Sequence, residues 1–170
     1  MSTPPPSWPA PVVIDVEASG FGRGSYPIEV GLVLEDGTPH CFLVRPHEQW
    51  THWDEGAAKV HKIPRAALFK RGLSVTTVAE RLNEILDART VYSDAWHFDR
   101  TWLALLFEFA GRLQRFKLES VRKLLNEAQA ELWHPTVEAV TAELALARHR
   151  ASADASIVQR ALQRVGSSAT

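Results

Sequence analysis

The stretch Val12-Val13-Ile14-Asp15-Val16-Glu17-Ala18-Ser19-Gly20 constrains this chain more than any other. Four β-branched apolar residues in its first five positions predict a strand buried on both faces, yet Asp15 and Glu17 interrupt the pattern. Side chains i and i+2 of a strand leave the same face, so the two carboxylates emerge together. A buried carboxylate requires a compensating cation or a set of donors, and a pair of them requires it more. A divalent ion with hard oxygen ligands meets that need. The alternative is a strand that ends early and leaves both acids in solvent at its tip.

The rest of the composition narrows the classes. At 170 residues the chain makes one domain with a real core. No apolar run reaches membrane-spanning length, so no membrane partner is expected. The net charge of -1 gives no general electrostatic hold on nucleic acid, so any polymer binding has to be local. Cys41 is the only cysteine, which excludes an internal disulfide and a multi-cysteine zinc site. Residues 1–10 are rich in proline and lack the basic and apolar regions of a signal peptide; they read as a flexible polyproline-type tail. The domain is expected over 11–166 with a short tail at 167–170, in a cytoplasmic protein.

After the opening strand, Gly20 to Pro27 is a loop by its glycines and proline. It nearly matches a dinucleotide-binding fingerprint. Ser25 stands where the third glycine belongs, and the segment runs into a strand instead of a helix, which rejects a Rossmann site. Ile28 to Leu34 and His40 to Arg45 read as strands around a turn at Glu35-Asp36-Gly37-Thr38, so the first three strands predict an antiparallel meander. Pro46 to Arg71 reads as irregular. Its His47, His52 and His61 show no repeated ligand spacing, which favours a surface loop with locally packed Trp50 and Trp53 over a zinc site. A helix with Val75, Val78, Ala79, Leu82, Ile85 and Leu86 follows, with Ser74 as N-cap. Thr90 to Ser93 is a short strand, and an apolar helix runs through Trp102, Leu103, Leu106, Phe107 and Ala110. Arg115 to Val121 is a fifth strand leading into a helix with Leu124, Leu125 and Ala128. Helices are also expected over Thr136 to Ala147 and from about Ala153 to Val165. Together these predict an α/β domain on a mixed sheet.

Three further residues complete a chemical set. Asp99 sits where a strand-like segment gives way to the apolar helix. His149 and Asp154 on one helix would stand roughly 140° apart; the better reading places His149 in a loop, Ser152 as the cap of the last helix and Asp154 in its first turn, where the helix dipole favours a carboxylate. Alone, each is more often a cap or a surface group than a ligand.

In order, Asp15-Val16-Glu17, then Phe98-Asp99, then His149 ahead of Asp154 resembles the three motifs of the DEDDh 3′–5′ exonucleases. The resemblance spans Val12 to about Val165, and Val60-His61-Lys62-Ile63 resembles the family's His-Gly-Ile segment with Lys62 in place of glycine. Two positions depart from the pattern. Ala18 and Ser19 replace two threonines, and Ser93-Asp94 stands where His-Asn is usual. Asp94 competes with Asp99 for the second-motif acid; Phe98 and the helix after it favour Asp99.

The resemblance implies a ribonuclease-H-like three-layer domain, a five-stranded mixed sheet flanked by helices. It also implies a two-metal hydrolase using Mg2+ or Mn2+. Four converging carboxylates repel one another and raise each other's pKa unless cations neutralise them. Two ions about 3.5–4 Å apart would do so and would clamp a phosphodiester in line for attack. By resemblance Asp15 bridges the ions, Glu17 and Asp154 complete the first, and Asp99 acts through water near the second. Neutral His149 is the general base; an imidazole ordinarily titrates at about 6.5, which suits that work near neutrality. The backbone of Ala18, Ser19 and Gly20 would lie under the terminal nucleotide with His61 nearby. Phe21 would stack on its base for about 1–3 kcal/mol, or else serve as a core or lid contact.

The implied reaction removes nucleoside 5′-monophosphates from 3′ ends of single-stranded DNA or RNA. The alternatives are an oligoribonuclease-like enzyme for very short RNA and a catalytically silent nucleic-acid-binding module. A silent binder has no need of four mutually repelling acids and a base. The sequence does not choose between DNA and RNA, and a homodimer is compatible with it without being specified.

Overall fold

A computed structural model of the chain describes residues 10–167. The proline-rich tail expected at 1–10 and the short tail at 167–170 therefore lie, apart from Ala10 and Ser167, outside the described residues. Strand β1 (Val13–Ala18) occupies the middle of a five-stranded sheet of order β3-β2-β1-β4-β5. Strands β2 (Pro27–Val33) and β3 (Pro39–Leu43) extend it antiparallel on one side, as the meander predicted. Strands β4 (Thr90–Ser93) and β5 (Lys117–Ser120) extend it parallel on the other, which makes the sheet mixed. The turn before β3 closes as its sequence required. Gly37 takes the left-handed φ of 84°, and the Thr38 N–H donates to the Asp36 carboxylate at 2.9 Å.

The period of two sorts the side chains of β1 between the two layers of helices. Ile14 and Val16 face a core built with α3 (Val75–Leu86) and α4 (Trp96–Ala110). Val13 faces a second core formed by α5 (Glu127–Leu144) and α6 (Ala151–Ser167). Asp15 and Glu17 share Val13's side of the pleat and so emerge toward α6. Because β1 and β4 are parallel, their C-terminal ends lie together, and the chain leaving β4 enters α4 beside the acidic end of β1.

Four expectations need correction. Pro46 to Arg71 is not irregular throughout, since it carries α1 (Glu55–His61) and α2 (Arg65–Arg71). Asp54 caps α1 by accepting from the Gly56 and Ala57 N–H groups at 2.6 and 3.1 Å, a local signal that a seven-residue helix is too short to reinforce by periodicity. Trp50 is no local surface packer. It is buried and stacks on Tyr26 with ring centroids 5.2 Å apart. The helices expected around Leu124 and over Thr136 to Ala147 are instead one 3-10 turn (Val121–Leu124) and one continuous α5 that runs through Pro135, opened by an Asn126–Gln129 capping box. Finally, α6 begins at Ala151, so Ser152 lies inside it and is not its cap. The Ser74 cap of α3 does form, with Thr77 N–H donating to its hydroxyl at 3.1 Å.

Candidate active site

A cleft of about 510 Å³ opens at the C-terminal ends of β1 and β4. It is lined by Asp15, Glu17, Asp99, His149 and Asp154, each delivered by a different local device. The pleat delivers Asp15 and Glu17. Asp99 comes from the first turn of α4 and is fully buried, with the Ser93 hydroxyl at the end of β4 donating to its Oδ2 at 2.6 Å. Asp154 occupies the first turn of α6, as expected, and its Oδ2 accepts from the His149 N–H at 3.2 Å. His149 lies in the loop before α6, in the left-handed region at φ 60°. Ligand atoms of Glu17, His149 and Asp154 lie within 4.8 Å of one another. Asp15 and Asp99 line the same cleft outside that tight trio.

The electrostatics are those of crowded carboxylates withdrawn from water. Burial, followed by the charges of Asp99, Glu17 and Asp154, pushes the Asp15 carboxyl well above the usual carboxylate range. Glu17 is pushed up to about 8 by burial, then by Asp154 and Glu29. Burial also raises Asp99 and Asp154. Desolvation thus outranks mutual repulsion at every member of the set. Asp99 Oδ1 and Asp154 Oδ1 are buried without an aligned hydrogen-bond donor, although Arg148 Nε forms an ion pair with the latter at 2.9 Å. A hard divalent cation suits such a donor set, because it would replace several unfavourable protonations at once.

That arrangement has a measurable sign. A carboxyl raised from 4.5 to about 8 keeps its proton in the folded state after the unfolded chain has released it. The stability linked to that proton is therefore complete below the unfolded value and is lost as pH rises through the folded one. The melting temperature of the metal-free protein should fall from about pH 5 to about pH 8. A flat or rising melting temperature across that window would show that the acids are ionised without strain.

Around the acids, the structure sets the remaining expected residues on the cleft wall, except Ser19. Ala18, Gly20, Phe21 and His61 line it. Ser19 is buried behind it; its hydroxyl accepts from the Tyr26 N–H at 3.1 Å and is 2.9 Å from His52 Nδ1, while its carbonyl accepts from the Asp54 N–H at 2.9 Å. A Cβ on Gly20 would approach Asp54 Cβ to 2.7 Å and His52 Cε1 to 2.8 Å, so only glycine lets the 50–54 loop press this closely on the cleft floor. His61 is buried, and its Nδ1 accepts from the Ile63 N–H at 3.0 Å. In the neutral ring the proton therefore resides on Nε2, which has no hydrogen-bond partner. Lys62 next to it has φ 57°, which explains why glycine is the usual residue at that step of the resembling segment.

Phe21 is 68% exposed and no core residue. It meets Phe98 edge-on with centroids 5.3 Å apart, and Phe98 stacks on Trp102 at 5.7 Å. Sequence reading valued Phe98 only as a marker and missed Trp102 as a wall residue. Their spacing of four on α4, which places them on one helix face, was the available signal.

Asp94 and Asp99 part company in the structure. Asp94 is exposed and accepts from the indole N–H of buried Trp133 at 3.1 Å, outside the cleft lining. Asp99→Asn should lower any hydrolytic rate by at least about 10²-fold, the scale of removing one preorganised charge contact, whereas Asp94→Asn should stay within a few-fold. Steady-state rates on one labelled oligonucleotide decide it, and the reverse order would move the second motif to Asp94.

No protein-family model matches the chain, and no curated protein sequence does. Among solved structures, E. coli exonuclease I in complex with a dT13 oligonucleotide superposes with a TM-score of 0.70 at 14% identity, covering 91% of this chain and 40% of that one. The fold is ribonuclease-H-like. A product-bound exonuclease I gives a TM-score of 0.64 at 13% identity over 89% of this chain and 42% of that one. A zinc-ion-bound complex of the E. coli enzyme with single-stranded DNA gives 0.65 at 13% identity over 92% and 39%. This ribonuclease-H-like chain thus spans about 40% of the exonuclease I chains it matches. No helix among its described residues is long and apolar enough to cross a membrane.

Proposed function

We propose that the chain is a metal-dependent 3′–5′ exonuclease that hydrolyses the terminal phosphodiester of single-stranded DNA or RNA and releases nucleoside 5′-monophosphates. The observation that carries this reading is the convergence of four raised carboxylates and one histidine in a single cleft. The likeness of fold to exonuclease I, solved with single-stranded oligonucleotides, supports the same substrate class.

Asp15, Glu17, Asp99 and Asp154 would hold two divalent ions, Mg2+ or Mn2+, which supply charge neutralisation and an activated water when bound. His149, exposed at the rim and within reach of Glu17 and Asp154, accepts a proton from the attacking water. The Ala18–Gly20 backbone supports the terminal nucleotide. Phe21, backed by Phe98 and Trp102, offers its exposed ring to a base without reading sequence. Local stacking of this kind lets a protein of net charge -1 hold a strand end.

The direct test incubates the protein with 5′- and 3′-labelled DNA and RNA oligomers, with Mg2+, Mn2+ or excess EDTA. The 5′-labelled strands should shorten stepwise in the presence of metal, and the 3′ label should appear at once as a mononucleotide. Internal cuts, shortening from the 5′ end, or full activity in EDTA would reject the proposal.

A further inference from the structure

Behind the cleft lies a fifth acid that the reading above does not use. Glu29 is fully buried on β2 and pairs across the sheet with Glu17. Arg150 grips it from the side, Nε donating at 3.0 and 3.1 Å to the two carboxylate oxygens and Nη2 at 2.7 Å to Oε2. The Ala151 N–H donates to Oε1 at 2.9 Å. Two places further along β2, opposite Asp15, a Cβ on Gly31 would come within 2.1 Å of the Ser152 nitrogen. The first turn of α6 therefore rests directly on the β2 backbone.

Glu29 and Gly31 fix the residues that matter most. Arg150 follows His149 directly, and its carbonyl accepts from the Asp154 N–H at 2.9 Å. The left-handed His149 is a conformation that persists only where its neighbours hold it. We infer that Glu29, acting through Arg150 and Ala151 with Gly31 permitting the close approach, is the positioning residue that seats the His149–Asp154 segment against Asp15 and Glu17. It touches no substrate; it acts by removing the freedom of the loop that carries the base and one acid. The role in catalysis rests on the function proposed above, while the seat itself is a property of the metal-free chain.

Three variants test it: Glu29→Gln, which keeps shape and loses charge, Arg150→Gln, and the double variant. In metal-free protein, amide hydrogen exchange over 149–154 should accelerate at least about tenfold in each single variant. Calorimetry should show Mn2+ affinity lowered by about 10–100-fold, and kcat should fall by a similar factor. KM for the oligonucleotide should hold within about threefold, since nothing that touches the strand has changed. The double variant should be no worse than the poorer single one, because both break one unit. Should Glu29→Gln fail to fold, Arg150→Lys keeps the charge without the fork and should lose an intermediate amount. Unchanged exchange over 149–154 would overturn the inference, as would additive losses in the double variant. A wild type that neither binds Mn2+ nor cleaves would overturn the functional reading instead, and the exchange result would still decide the seat.

Discussion

Asp15→Asn should abolish hydrolysis, by at least about 10³-fold, and should raise the thermal stability of the metal-free protein at neutral pH. The two effects have one cause. Asp15 is the most crowded member of the set, lifted by burial and then by Asp99, Glu17 and Asp154 in turn. Ionising it in the folded state is unfavourable unless a cation is present, and an amide of the same shape removes that penalty. The same amide removes the charge with which the two ions would be held. Melting curves with and without Mn2+ separate the two consequences. Wild-type protein should gain stability on adding Mn2+, by mass action on the folded state, and the variant should gain little. A variant that keeps its activity, or that is destabilised without metal, would contradict the two-metal assignment.

His149→Ala should lower kcat by about 10²–10⁴-fold, the ordinary worth of a positioned general base. The geometry makes the companion measurement decisive. A ring nitrogen of His149 lies within 4.8 Å of carboxylate oxygens of both Glu17 and Asp154, a spacing that also suits a ligand. If His149 is a base and no ligand, calorimetric Mn2+ affinity should hold within a few-fold in the variant while kcat collapses. Loss of metal binding in parallel would make it a ligand and would require another proton acceptor. A variant with undiminished kcat would remove it from the chemistry altogether.

The central strand, its two same-face acids and the meander beside it were legible because each rests on a local pattern: an apolar run, an i, i+2 pair and a four-residue turn. Ser74 was legible because a cap and the apolar period after it agree. Helices α1 and α2 were not, since seven residues hold fewer than two turns and the histidines and tryptophans around them suggested a loop. Helix α5 was divided into two, although the Asn126–Gln129 capping box marked its true start. The start of α6 was misplaced for a different reason. Its local candidate was Ser152, whereas the carboxylate that accepts from its first N–H is Glu29, 122 positions away along the chain. Glu29 did leave a trace, a single acid in an otherwise apolar strand, the same kind of trace that singled out Asp15 and Glu17.

The seating of α6 on β2 also sets when the site comes into being. Asp15 and Glu17 leave the ribosome early, and the five strands are all synthesised before α5 begins. Until Ala151 reaches Glu29, the chain has its acids on β1 and α4 but neither Asp154 nor His149 beside them. Contacts of such long sequence separation form late and as part of cooperative closure. A ribosome-bound chain halted before α6, or one clipped between α5 and α6, therefore carries an incomplete cleft with the Val13 and Val33 face of its sheet bare. For a protein proposed to degrade nucleic-acid ends, synthesis in this order leaves the hydrolytic set unassembled until α6 docks.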